Sequence, residues 1–362
     1  MTRYDRLARE SPDFAHWKLP AAALVGVALY GVATIAVVTV VMIGLLVAGT
    51  DPERWLGSMG QQISLDDPAK LAVELGLIAL LLPSVVLPVA VVWRRHVGYL
   101  HSVAGHLRWR WLGRCLGWAF TVVVVALSLA VAVALAAGDE TVEATLPDAR
   151  GWAAIAVAVA LVPFQAAAEE YVFRGGLLQL IGSWTRRAAV PVLVTSLLFA
   201  AGHLYDFWGL VSVFGFGVVA AVVTIRTGGL EAAIALHIAN NTVLMAFDVV
   251  GLVDSTGEGA GLVDEVVPSV LMCLVFWGLV ERSARRHRIK RRRRPMPTPP
   301  VTIVPPPPYQ PSGPAVAPTP PPFQPGSDRG RAGAVPPPFV PPAAEVPPNA
   351  PPYPGDPGPW KR

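Results

Sequence analysis

Apolar residues run almost unbroken through eight stretches of the chain, at about 21–48, 70–93, 112–137, 151–168, 188–204, 208–225, 230–250 and 265–281, with polar connections between them. A helix needs roughly 20 such residues to cross the hydrocarbon core of a bilayer. The pattern predicts an all-α, polytopic membrane protein of about eight transmembrane helices. The first stretch is far longer than the roughly 7–15 residues of a signal-peptide core, so a retained anchor is expected. From Gly151 to Ser183 the fourth segment is longer than one ~30 Å crossing requires. Pro163 lies inside it and lacks the backbone donor a helix interior uses. A kinked or broken helix is predicted there, with Glu169 and Glu170 one to two turns beyond the break.

The periodic pattern stops near Pro295. From there to Arg362, Pro-Pro runs and scattered Gly replace the aliphatic residues, as in a disordered, partly polyproline-II tail. The organisation read from the chain is a cytoplasmic N-terminal segment (1–20), three N-terminal spans (21–149), a core (150–250), a last loop and span (251–281), a basic juxtamembrane cluster (282–294) and the Pro-rich tail (295–362).

Composition supports the membrane class. Hydrophobic residues make up 53% and charged residues only 15%, against ~25% charged in soluble domains. The net charge of +4 is modest, but its placement is uneven. Arg3, Arg6, Arg9 and Lys18 precede the first span. Arg94, Arg95, Arg108 and Arg110, then Arg186 and Arg187, then Arg226, mark every second connection, and Arg282–Arg294 follows the last span. The intervening connections carry Asp66, Asp67, Asp139, Glu140, Glu143, Asp206, Asp254, Glu258 and Asp264. Basic residues accumulate on the cytoplasmic side. Eight spans with both termini cytoplasmic satisfy that rule at every turn. The Ala/Val/Pro bias suggests a high-GC bacterium, and hence a plasma membrane.

The 282–294 cluster fits a stop-transfer anchor beside anionic lipid, and nucleic acid is not an expected partner. The tail is either a spacer or a ligand for a partner that binds Pro-rich motifs. Cys115 and Cys273 both fall in apolar segments, as buried small hydrophobes do.

Candidate chemistry stands out against this background because a charge at bilayer depth costs at least roughly 2.5–3.5 kcal/mol. Glu169, Glu170 and Arg174 lie within six positions of one apolar segment. Glu170 and Arg174 have the i, i+4 spacing at which helical side chains meet. Glu169 is turned about 100° from Glu170 and is free to face a different cavity. Downstream, Phe199 and His203, then His237 and Asn241, repeat the four-residue spacing. At about 1.5 Å per residue, Glu169, His203 and His237 lie roughly 16–26 Å along their helices from the nearest arginine of the expected cytoplasmic connections, compatible with one plane. Each pair also has a structural reading: an ion pair for Glu170–Arg174, an interfacial histidine for His203, and interhelical hydrogen bonding for Asn240.

The motifs Glu-Glu-x-x-x-Arg, Phe-x-x-x-His and His-x-x-x-Asn, in that order over about 75 residues, resemble the CPBP intramembrane proteases. That family includes the type II CAAX prenyl endopeptidases and bacteriocin-immunity and lysostaphin-resistance homologues. The resemblance covers about residues 150–250. It implies that Glu169 and His203 activate the attacking water, that His237 and Asn241 stabilise the oxyanion, and that Glu170 and Arg174 support the site.

Amide hydrolysis needs such a base and such donors. A glutamate with two histidines is also a known zinc set, so Glu169, His203 and His237 are candidate metal ligands. The compact His-Glu-x-x-His form is absent, and the preferred mechanism requires no cofactor. The functional reading is an intramembrane endopeptidase acting on a membrane-associated peptide or protein. The alternatives are a non-catalytic binding or immunity protein of the same fold and a transporter with intramembrane acids.

Overall fold

The computed structural model describes residues 1–11, 13–57, 59, 65–138, 142–254 and 261–293. The Pro-rich tail, Arg294, Asp139, Glu140 and Glu258 lie outside the described residues. The chain divides into a unit of residues 1–299 and one of 300–362, the second wholly among the undescribed residues.

The described α-helices are α1 (Lys18–Val47), α2 (Pro52–Gly57), α3 (Pro68–Ala79), α4 (Leu81–Val92), α5 (Val97–His101), α6 (Trp109–Ala136), α7 (Ala149–Glu170), α8 (Leu178–Trp184), α9 (Ala189–Ala201), α10 (Phe207–Thr227), α11 (Glu231–Val249) and α12 (Val267–Arg286). Among the described residues there is no strand. Seven helical stretches are long and apolar enough to cross a membrane: Lys18–Val47, Pro68–Val92, Trp109–Ala136, Ala149–Trp184, Phe207–Thr227, Glu231–Val249 and Leu262–Arg286. Each falls on a stretch that the apolar pattern marks. The protein is an all-α, multi-pass membrane protein.

The remaining stretch, 188–204, holds α9, whose 13 residues span only about 20 Å. That is short of the ~30 Å hydrocarbon core. Gly202 closes the helix, and the half-buried His203 follows it.

The connections sort to two ends. Thr2 and Arg293 exchange backbone hydrogen bonds of 2.9 and 3.0 Å. The 3₁₀ helix Tyr4–Glu10 packs against α8, with Arg9 Nε donating to Ser183 O at 2.6 Å and Arg3 Nη2 to Arg186 O at 3.1 Å. Arg108 Nη1 donates to Thr227 O and to Lys290 O at 3.1 and 2.9 Å. The basic connections and both described chain ends therefore meet at one end of the bundle. At the other end, the Thr145 N–H donates to Val250 O at 3.0 Å, and Asp66, Asp67 and Arg150 line one recess.

The segment before α1 packs into the fold: Tyr4, Leu7 and Ala8 are fully buried, and the Tyr4 hydroxyl donates to Leu100 O. The helix carrying the acidic pair stays α-helical through Pro163. Two turns later a π-helix, Tyr171–Leu177, begins directly after Glu170, so the helix that carries the acids is irregular as expected, with the acids directly before the π turn.

The basic cluster is also partly folded onto the protein. Arg226, Arg285 and Arg291 all reach Glu281 Oε1, at 2.9, 3.0 and 2.8 Å. Arg293 lies 4.4 Å over the Tyr99 ring. Cys115 and Cys273 are buried and free, as their apolar surroundings suggest.

Candidate active site

Helix α11 is the most enclosed element, with every residue from Glu231 to Ala239 buried. Small side chains let helices approach closely in a membrane, and Ala232, Ala233, Ala235 and Ala239 do so here. That packing presses His237 of α11 against the C-terminal end of α7. A π turn widens the helix by one residue and recurs at functional sites. Here it carries Arg174 back to Glu170 across the change in helical register.

The Glu170 carboxylate is the hub. Its Oε1 accepts from Arg174 Nη1 at 2.9 Å, with both side chains fully buried. The same oxygen accepts from His237 Nδ1 at 3.0 Å. Arg174 is held further by Gly217 O, at 3.2 Å from Nη2, and by the Phe199 ring, 4.3 Å from its guanidinium carbon. Phe199 and Phe216 meet the His237 ring edge-to-face, at 5.8 and 5.4 Å between centroids.

Glu169 does not face a separate cavity. Its Oε2 lies 3.3 Å from His237 Nε2. The alignment falls short of a hydrogen bond, and this buried oxygen has no other hydrogen-bond partner. An imidazole carries nitrogens on two edges, so acids 100° apart on one helix grip it from two sides. Donation to both carboxylates requires both nitrogens to carry protons. The side chain of Glu169 keeps 12% exposure and that of Glu170 none, so Glu169 is the more accessible of the two acids.

Asn241 sits one turn beyond His237. Its Nδ2 donates to Gln165 Oε1 at 3.2 Å, and its Oδ1 accepts from Asn240 Nδ2 at 3.2 Å. His203 is placed differently. It is half-buried beyond α9, its Nδ1 is 2.8 Å from Phe199 O, and its ring packs on Phe199 at 4.7 Å and Tyr205 at 5.8 Å. Phe199 therefore stands as the common wall between the two imidazoles. The Tyr205 phenol is pushed above its ordinary value by burial and then by the Glu169 and Glu265 carboxylates. The loop that carries His203 thus lies within electrostatic reach of Glu169.

The structure brings Glu169, Glu170, Arg174 and His237 into direct contact, with Asn241 alongside and His203 across the Phe199 ring. Among the described residues, no three His, Cys, Asp or Glu side chains are grouped to hold one metal ion. Glu169, His203 and His237 do not form a three-ligand set in this arrangement. Gln165, Phe216 and the Gly217 carbonyl are additions that motif spacing did not single out. Gln165 alone left a trace in the sequence: a polar residue one turn before Glu169 in an apolar run.

Comparison with known proteins falls on this region. Residues 151–243 match the family model described as type II CAAX prenyl endopeptidase Rce1-like, a span that contains all seven motif residues. An uncharacterized protein, YyaK of Bacillus subtilis, is 36% identical over 100 residues, covering 26% of this chain and 33% of its own length. The chain thus matches about a third of that relative. No solved structure matches. The matches are consistent with a CPBP family intramembrane protease, and at that level they support a peptide hydrolase embedded in a membrane.

Proposed function

We propose that this protein is an intramembrane endopeptidase in which Glu169 deprotonates the attacking water and His237 and Asn241 receive the oxyanion. The observation that carries this reading is the fixed imidazole of His237. Its Nδ1 is committed to the buried Glu170, which leaves its Nε2 edge facing the partly accessible Glu169 at 3.3 Å. A peptide carbonyl brought beside that edge meets the imidazole and the carboxylate next to each other.

In the first step the Glu169 carboxylate takes a proton from water as the water oxygen bonds to the carbonyl carbon. The carbonyl π pair moves onto oxygen, where His237 Nε2–H and the uncommitted Asn241 Nδ2–H donate to it. Oxyanion donors of this kind contribute roughly 10²–10³ in rate. In the second step the C–N bond breaks, and the proton held by Glu169 goes to the leaving amine. With Nδ1–H donated to Phe199 O, a neutral His203 presents Nε2 as an acceptor. It stands at the edge of the site to hold or relay the water.

Side chains supply each of these roles, and none is assigned to a metal. Assigning the basic end to the cytoplasm places Arg282, Arg286 and Arg288 at the level of lipid headgroups, where anionic lipid is the natural partner. The tail is a candidate ligand for proteins that bind Pro-rich motifs.

The test compares membrane proteomes of cells carrying the wild type and Glu169→Ala, with His237→Ala as a second variant. Uncut precursors are expected to accumulate in both variants while the protein remains folded and inserted. Identical proteomes, or full biological activity in Glu169→Ala, would overturn the hydrolase reading in favour of a binding protein.

A further inference from the structure

The orientation of Asn241 depends on a residue outside the three motifs. A carboxamide offers two N–H donors on one side and a carbonyl oxygen on the other. Only the donor side helps a developing oxyanion; the oxygen side repels it. A half-turn about the terminal torsion exchanges the two, so something must fix the choice.

Gln165 lies on α7, four residues before Glu169, and is 3% exposed. Its Oε1 accepts one N–H of Asn241 at 3.2 Å, while Asn240 Nδ2 occupies Asn241 Oδ1 at 3.2 Å. One Asn241 N–H remains uncommitted. Gln165 and Glu169 share a helical face, so a single element sets both the base and the direction of the oxyanion donor.

We propose that Gln165 is a positioning residue that locks the Asn241 amide with its donor edge toward the reacting carbonyl. This rests on the hydrolase reading above and extends it. Gln165 touches no reacting atom; it acts through Asn241.

The test uses the full-length protein in lipid vesicles and, as substrate, the precursor that accumulates in Glu169→Ala cells, expressed with a tag. Gln165→Met keeps the volume and removes the acceptor. Gln165→Glu keeps an acceptor, and a rescue toward wild-type kcat is expected from it. For Gln165→Met, kcat is expected to fall about tenfold or more with KM little changed, since one oxyanion donor is worth roughly 10²–10³. In the double variant Gln165→Met/Asn241→Ala, kcat is expected to match Asn241→Ala alone, because residues acting as a unit are non-additive.

Losses that multiply in the double variant, or wild-type kcat in Gln165→Met, would overturn the assignment of Gln165. A fall in Gln165→Met that tracks lost thermal stability and is not restored by Gln165→Glu would do so too. If instead wild type and Glu169→Ala process every membrane protein alike, the hydrolase reading itself fails and takes this inference with it.

Discussion

Glu169 and Glu170 are adjacent in sequence, yet conservative substitution should separate them cleanly. Glu170→Gln removes the charge that balances Arg174 and that orients His237. Both partners are nearly or wholly enclosed, with side-chain exposures of 0% and 4%. Stranding one member of a buried pair costs about 3–5 kcal/mol. Arg174 retains Gly217 O and the Phe199 face, contacts it already makes in the wild type. The glutamine also keeps an acceptor oxygen, so the expected loss lies near the lower bound, about 3 kcal/mol. Glu169→Gln removes a carboxylate whose oxygen faces His237 at 3.3 Å without an aligned hydrogen bond. Its stability should differ from wild type by less than about 1 kcal/mol, while cleavage is abolished. Thermal or denaturant unfolding in one fixed detergent, read beside precursor cleavage, measures both quantities. Equal destabilisation by the two substitutions, or a Glu170→Gln protein as stable as wild type, would refute the division into a structural acid and a reactive one.

Two further outcomes follow from the geometry. His96 is fully buried against Trp93, at 4.4 Å between stacked rings, and burial holds its imidazole down at about 4. The unfolded chain takes up this proton near pH 6.5, so stability should fall as pH drops from about 6.5 to about 4 and level off below. The integrated loss is about 3 kcal/mol, and His96→Phe should flatten that part of the pH–stability curve; an unchanged curve would count against it. Because no three candidate ligands converge among the described residues, precursor cleavage should survive excess chelator, and loss of activity restored by added zinc would refute the side-chain mechanism.

The membrane architecture was legible because lipid leaves so few options. Span limits read from hydropathy fall within a few residues of α1, α6, α10 and α11. The Glu170–Arg174 pair followed from helical spacing alone. What spacing does not convey is which groups meet across helices. A 100° separation suggested two environments for Glu169 and Glu170; the His237 ring, arriving from α11, joins them. The π turn at Tyr171–Leu177 was hidden as well, since no single residue dictates an i→i+5 register as proline dictates a bend. α9 read as a full span because apolar residues on both sides of the helix, such as Leu204, are exposed in the structure and counted toward a length that the helix itself does not have.

Burying these groups makes physical sense only when they are taken in order. The sequence of contacts is Arg174, Glu170, His237, Glu169, at 2.9, 3.0 and 3.3 Å. With His237 doubly protonated the signs alternate and the sum is zero, which limits the several kcal/mol per ion that burial otherwise imposes. The two ends of such a row are not equivalent. Arg174 cannot release its proton in a protein, so the Arg174 end stays charged and its neighbour Glu170 must stay charged with it. At the other end, Glu169 has one charged neighbour, an oxygen without a hydrogen bond and the only appreciable exposure of the two acids. It can gain a proton while the three groups behind it keep their places. A hydrolytic base has to do this once per turnover, and in this row Glu169 is the acid able to do it while Glu170 keeps its contacts with both Arg174 and His237.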